Sequence, residues 1–279
     1  HAKTYLKKVN ELHGEFTPLP TRRPTRAIRY RDRAIFSDLD QNLIGNPKAL
    51  KHFAKIIKEN RKCVAFGIVT GRRFDSALAV IKKHGIPTPD ILISSLGTRI
   101  HYGQNLTEDN YWADHVDHDW SVQRIRRIIG NLPGLKPQPK AEQTAFKVSY
   151  YYDQELAPTI EEIVTLLRQE EVTSNVMLSF GQFLDVIPSR ASKGQALRYA
   201  SQRLEIPLEQ ILVAGGSGAD EDMMRGNTLA VVVGNRHHEE LSQLVDQDRI
   251  YFAGRDHAYG ILEAIEHYDF FDACKVPEE

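Results

Sequence analysis

Cysteine is nearly missing from this sequence: Cys63 and Cys274 are the only two in 279 residues. Two thiols so far apart give neither a disulfide framework nor a CxxC metal spacing. Long apolar runs are missing too. The longest, Cys63 to Val69, is far too short to cross a bilayer, and no apolar signal segment opens the chain. Neither sign of charge is in excess: 36 Lys and Arg stand against 37 Asp and Glu, a formal charge of -1. That balance points neither to nucleic acid nor to an anionic membrane as a partner. The P-loop pattern is absent. The loop Gly215-Gly216-Ser217-Gly218-Ala219-Asp220 fails as a dinucleotide fingerprint, because Glu221 stands where GxGxxG needs glycine. These absences leave a reduced, cytoplasmic protein as the expectation. The 41% of apolar residues suffices for a sizeable core, and the length suits two domains.

Residues 3–12 carry apolar side chains at Tyr5, Leu6, Val9 and Leu12, a helical spacing. A stretch with Pro18, Pro20, Pro24 and several arginines follows, in the manner of a linker. Since the chain starts at His1, residues 1–32 read as a helix and linker within a piece of a longer polypeptide. From Ala34 strands and helices alternate: strand 34–39, helix 47–59, strand 63–69, helix 74–83, strand 91–96. Such alternation predicts parallel βαβ units in a doubly wound sheet. The middle differs. A helix over 122–132, a strand over 146–152, a helix over 160–167 and a hairpin of 176–180 with 183–187 about Gly181-Gln182 predict an α+β insert. The alternation then resumes, with helix 193–203, strand 211–214, strand 229–233, helix 239–245, strand 250–252 and helix 259–267. The division expected is an α/β core of 33–112 and 189–279, split by a cap of 113–188.

Asp38 and Asp40 sit at the end of the first strand, where open parallel sheets bind ligands. Residues i and i+2 of an extended segment point the same way, so both carboxylates can face one small volume. Their mutual repulsion calls for a cation, and Mg2+ suits oxygen ligands beside a phosphate. One carboxylate can attack phosphorus, and the other can protonate the leaving oxygen and then activate water. Thr70 and Gly71 close the second strand and offer a hydroxyl and amides to phosphate. Lys193, just inside a helix, offers an ammonium.

Asp38-x-Asp40, Thr70, Lys193 and the loop 215–220 fall in the order of the four motifs of the haloacid dehalogenase-like phosphohydrolases. The stretches FSDLDQNLIG, IVTGRRFDSA, FKVSYYYD, LDVIPSRASKG and ILEAIEHYDFF extend the likeness over residues 33–271. Through them the sequence resembles the sucrose-6-phosphate phosphatases and the phosphatase-like C-terminal domain of bacterial sucrose-phosphate synthases. The resemblance implies a Rossmann-like α/β core with an α+β cap, and Mg2+-dependent hydrolysis of sucrose-6-phosphate or a related sugar phosphate. It implies Asp38 as nucleophile and metal ligand, and Asp40 as acid/base with its carbonyl on the metal. Thr70, Gly71, Lys193 and Asn235 are implied at the phosphate, and Asp220 at the metal. Glu142, Gln143, Lys147, Gln182 and Asp185 lie in stretches matching the sugar-facing side of the cap. A glycosyltransferase domain of a synthase in the same longer chain is the implied partner.

The pattern breaks in the fourth motif. The family reads GDSGND where this sequence has Gly216 for the metal-binding Asp and Ala219 for Asn; Asn42 also stands where Thr is usual. Mg2+ is often held by one or two carboxylates with water and substrate phosphate. The expectation is therefore a weakened metal site and slow or metal-hungry hydrolysis. The alternative is a non-catalytic module that binds sucrose phosphate or a partner enzyme.

Overall fold

The alternation is realised in a computed structural model that describes residues 31–238, 240, 241, 244 and 249–271. The helix expected over 3–12, the linker apart from its last two residues, most of the helix expected over 239–245, and Cys274 lie outside the described residues. The first half of the core comprises β1 (Arg33–Ser37), α1 (Pro47–Glu59), β2 (Val64–Val69), α2 (Phe74–His84), β3 (Ile91–Ser94), β4 (Arg99–Tyr102), β5 (Thr107–Glu108) and α3 (Asn110–Val116). The cap has α4 (Val122–Ile129), β6 (Leu135–Pro137), β7 (Val148–Tyr152), α5 (Ile160–Gln169), β8 (Ser174–Ser179) and β9 (Phe183–Pro188). The chain returns through α6 (Lys193–Leu204), β10 (Ile211–Gly215), α7 (Glu221–Met224), β11 (Leu229–Val232), β12 (Ile250–Phe252) and α8 (Ala258–His267).

The core sheet runs β12-β11-β10-β1-β2-β3-β4-β5. Its strands are parallel from β12 to β3, and β4 and β5 add an antiparallel edge. Alternate residues of β1 feed the two faces: Ala34 and Phe36 join one buried cluster, Ile35 the other. That two-sided burial is why the strands read as continuous apolar runs. From β1 the chain winds one way through β2 and β3, and later the other way through β10 to β12. The order reverses at β1, and a crevice opens outside its carboxyl end.

Local signals set the flanking helices. Asn46 caps α1 by accepting from Lys48 and Ala49 N–H, with Pro47 in the first turn. The strand expected over 91–96 stops at Ser94 because Ser95 and Leu96 turn left-handed, at φ +50° and +60°. The boundary expected at 112/113 falls inside α3. Trp112 and Val116 both pack with the core sheet, and Trp112 Nε1 donates to the Gly97 carbonyl at 2.8 Å.

The cap sheet runs β6-β7-β9-β8, antiparallel throughout. Helices α4 and α5 cover one face, packing Ile125, Ile129, Ile163 and Leu167 on Val148, Tyr150, Leu184 and Val186. Strand alternation sends Lys147, Ser149, Asp185 and Met177 to the opposite face. Met177 packs on the core-domain cluster, so this polar face looks down on the core.

Candidate active site

The extended backbone of β1 carries one residue past the strand, where Asp38 N–H donates to Ala214 O at 3.0 Å. A tight turn follows, with Gln41 left-handed at φ +58°. Such a conformation costs a non-glycine residue on the order of 1 kcal/mol and persists only when held. Here the Gln41 carbonyl accepts from Asn235 Nδ2 at 2.8 Å and lies 2.9 Å from His257 Nδ1. Gly45 closes the turn at φ +127°, where a Cβ would lie 2.4 Å from the His257 ring.

Asp38, Lys193 and Asp220 meet beneath this turn, and all are buried. Lys193 Nζ donates to Asp220 Oδ1 at 2.6 Å and lies 3.2 Å from Asp38 Oδ1. Ser192 caps α6 by accepting from Gln195 N–H, and the Asp222 carboxylate accepts from Gly194 N–H, which fixes the start of the helix and hence Lys193. Asp220 Oδ2 accepts from Gly216 N, Ser217 N and Ser217 Oγ, at 2.9, 3.0 and 3.0 Å. Its two oxygens are thus engaged with the lysine and its own loop.

One ammonium among two buried carboxylates leaves a surplus negative charge. Asp220 holds the closer contact, so the surplus falls on Asp38. Burial pushes the Asp38 carboxyl up to about 7; Lys193 opposes this, and Asp220 and Asp40 add to it. Burial alone would push the Lys193 ammonium down, but Asp220 and Asp38 outweigh it and hold the ammonium above the usual lysine range. Removing the shared cation strands both carboxylates. Lys193→Met is expected to lower unfolding free energy by about 3–5 kcal/mol in urea titration followed by circular dichroism. A loss under about 1 kcal/mol would contradict this reading of the cluster.

Asp40 goes a different way. Its carboxylate takes a two-pronged grip from Arg72, Nε to Oδ2 and Nη2 to Oδ1, each at 2.7 Å. The arginine's proton is held more tightly through this hydrogen bond, and Glu142 of the cap and Asp38 contribute to the same field. Thr70 is fully buried, and its Oγ1 accepts Arg72 N–H at 3.2 Å. Gly71 packs under Leu96, whose Cδ2 would be 3.2 Å from a Cβ there. Asn235, expected at phosphate, holds the Gln41 carbonyl and accepts His257 N–H at 2.8 Å. That is the position of a group shaping the turn.

In the cap, Ser149 Oγ donates to Asp185 Oδ1 at 2.5 Å, and Lys147 Nζ lies 3.4 Å from the same oxygen. These buried groups share the core-facing side with Glu142, which is half-buried above Arg72. The remaining two lie apart. Gln143 bonds main-chain groups of Gln138 and Ser149, and Gln182 sits exposed in the hairpin turn. A cavity of about 1,020 Å³ opens between Arg73 and the cap residues Arg126, Lys140 and Gln143.

Three residues of the site escape sequence reasoning. Arg72 could have been found from its place directly after Thr70-Gly71. Asp222 sits in an acidic run with no distinguishing mark. Glu240 takes Gly181 N–H of the cap and Gly218 N–H of the core loop, both at 2.8 Å, and so ties the two domains.

Charge surplus and donor chemistry also bear on a cation. Asp38 Oδ1 is buried without an aligned hydrogen bond, and Asn42 Oδ1 is buried without a partner, among the described residues. Asp38 and the Asp40 carbonyl, which accepts Asn42 Nδ2 at 3.1 Å, are hard oxygen donors beside an uncompensated negative charge, and they fit Mg2+. No three His, Cys, Asp or Glu side chains converge as a metal cluster among the described residues. The fit is therefore that of a site poor in carboxylates.

Comparison with known proteins bears on the family and the fold. The family model of sucrose-6F-phosphate phosphohydrolase matches residues 31–269. The structure of the sucrose-phosphatase from Synechocystis, in complex with sucrose and phosphate, is similar at TM-score 0.81 and 32% identity, over 86% of this chain and 98% of that one. Probable sucrose-phosphatase 3a of Arabidopsis thaliana is 31% identical over 72% of this chain and 50% of its own length, so the chain spans about half of that protein. A mannosylfructose-phosphate phosphatase of Agrobacterium fabrum is 25% identical over 85% of this chain and 96% of its own length. Haloacid dehalogenase-like hydrolases of known structure, at 14–16% identity, share the fold. No helix among the described residues is long and apolar enough to cross a membrane. The chain belongs to the sucrose-6F-phosphate phosphohydrolase family.

Proposed function

We propose that this chain hydrolyses sucrose-6-phosphate to sucrose and inorganic phosphate through an aspartyl-phosphate on Asp38, with Mg2+, in the cytoplasm. The observation that carries the reading is the buried Asp38 beside Lys193 at the carboxyl end of the central strand, with Asp40 two residues on. An Asp38 oxygen attacks phosphorus as the phosphorus–sugar oxygen bond breaks, and Asp40 delivers a proton to the departing sugar oxygen. Water then attacks the same phosphorus, Asp40 takes its proton, and Asp38 is restored. Lys193, Thr70 and the Gly71 amide would hold phosphate oxygens. Mg2+, held by Asp38 and the Asp40 carbonyl, would offset charge between nucleophile and phosphate. We assign the sugar to the polar face of Glu142, Lys147 and Asp185, and the protein to a longer chain that carries a glycosyltransferase domain of a synthase.

Two expectations test the reading. At limiting Mg2+ the rate of phosphate release rises with pH through about 7, because protonated Asp38 neither attacks nor ligates. A rate that falls over the same interval would contradict that role. Asp185→Asn is expected to raise KM for sucrose-6-phosphate about tenfold while leaving hydrolysis of p-nitrophenyl phosphate within about twofold, since only the former offers hydroxyls to the cap. Equal effects on both substrates would remove the sugar from this face.

A further inference from the structure

Two residues beside Asp40 hold backbone conformations that favour glycine, and they touch each other. Gln41 is one, at φ +58° and ψ +8°. The other is His257, at φ +54° and ψ -143°, a combination that glycine adopts and other residues avoid. Local structure gives no reason for it. His257 stands just before α8, and its side chain accepts from no amide of that helix. Its ring goes instead to the turn after β1.

There the ring makes contacts that hold it. Nδ1 lies 2.9 Å from the Gln41 carbonyl oxygen. A carbonyl only accepts, so this approach is a hydrogen bond of the ring tautomer that carries its proton on Nδ1. Asn235 clamps both partners. Its Nδ2 donates to the same carbonyl, and its Oδ1 accepts the His257 main-chain N–H, both at 2.8 Å. The ring also fills the place of a Cβ at residue 45, which would lie 2.4 Å from Cε1, and Gly45 leaves that place free. The Gln41 carbonyl is thus held by side chains 194 and 216 residues away. The Asp40 carbonyl, one residue earlier, accepts from Asn42 Nδ2 at 3.1 Å.

We propose that His257 is a positioning residue for Asp40: its ring holds the Gln41 carbonyl, and through that peptide it keeps the Asp40 carboxylate in one place beside Asp38. The inference rests on the hydrolase reading, in which Asp40 moves the proton. Backbone strain at 257 is stability given up for that placement, so stability and rate separate on substitution. Glycine at 257 relieves the strain and removes the ring. The groups assigned to phosphate and sugar are untouched, so the loss falls on rate and not on binding.

The test is the kinetics of His257→Gly in the full chain with sucrose-6-phosphate at saturating Mg2+, beside urea melts. kcat is expected to fall about 10–100-fold with KM within about twofold. The urea midpoint is expected to stay level or rise. The ring is half-buried, so added imidazole can refill the place beside Gly45 and donate to the Gln41 carbonyl. It is expected to restore most of the lost kcat in the variant and to leave the natural chain as it was. A kcat within about threefold of the natural chain overturns the proposal, and so does a loss that imidazole leaves unchanged. Should the glycine variant not fold, His257→Gln decides against His257→Leu. The glutamine amide can donate to the same carbonyl and is expected to keep the higher kcat; equal values overturn the proposal. Each of these failures leaves the hydrolase reading standing, since the natural chain is assayed in the same series. A natural chain that releases no more phosphate than Asp38→Ala overturns both.

Discussion

Asp38→Asn is expected to abolish phosphate release from sucrose-6-phosphate, a fall of about 10⁴-fold or more, while leaving the protein as stable as before or more so. The two halves of this result have one cause. Asp38 is the surplus carboxylate of a buried triad in which Lys193 serves Asp220 first, at 2.6 Å against 3.2 Å. Its charge is what chemistry needs and what the fold tolerates poorly. An amide of the same shape cannot attack phosphorus, which removes the covalent path outright. It also frees a buried site from an ionised group whose neutralisation is incomplete. The experiment pairs phosphate release with a urea melt. Activity within about tenfold of the natural chain would show that Asp38 is not the nucleophile. A destabilisation of several kcal/mol would show that the Asp38 charge is structurally required.

Gly216→Asp is expected to lower the Mg2+ concentration for half-maximal activity about 10–100-fold, the scale on which even supporting groups of a metal site act. A Cβ there would lie 3.0 Å from the buried Val233 methyl, which must give by a few tenths of an ångström, and 3.9 Å from Asn42 Nδ2. Restoring a carboxylate there adds charge to the Asp38 carboxylate and Asp40 carbonyl assigned to the cation. The measurement is a Mg2+ series on both proteins at one substrate concentration. Coincident curves would mean that the altered fourth motif does not limit this protein.

Most of the core was legible because its strands are buried on both faces and its helices carry their own start signals. The run at 63–69 and the helix start at Asn46-Pro47 are of this kind. What escaped is short or set by tertiary contact. Strand β4 (Arg99–Tyr102) pairs antiparallel with β3, one strand in from the edge of the sheet, and shows no continuous apolar run. Helix α3 has seven residues and draws its stability from Trp112 against Tyr199 and the Gly97 carbonyl. The site divides in the same manner. Asp38, Asp40, Thr70 and Lys193 sit at ends of regular elements, where position in sequence fixes position in space. Asp220 was expected at the metal, yet it holds Lys193 and its own loop; that division of labour depends on which of three charges stands closest. Arg72 follows Thr70-Gly71 directly, but its grip on Asp40, 32 residues back, and the reach of Glu240 across to the cap are tertiary contacts that one sequence does not display.

The most direct test of the central claim is phosphate release from sucrose-6-phosphate by the natural chain across a Mg2+ series, beside Asp38→Ala. The account predicts release that requires Mg2+, saturates only at high concentration and vanishes in the variant. A folded natural chain that releases no more phosphate than Asp38→Ala at any Mg2+ concentration would contradict it and assign the site to binding without hydrolysis.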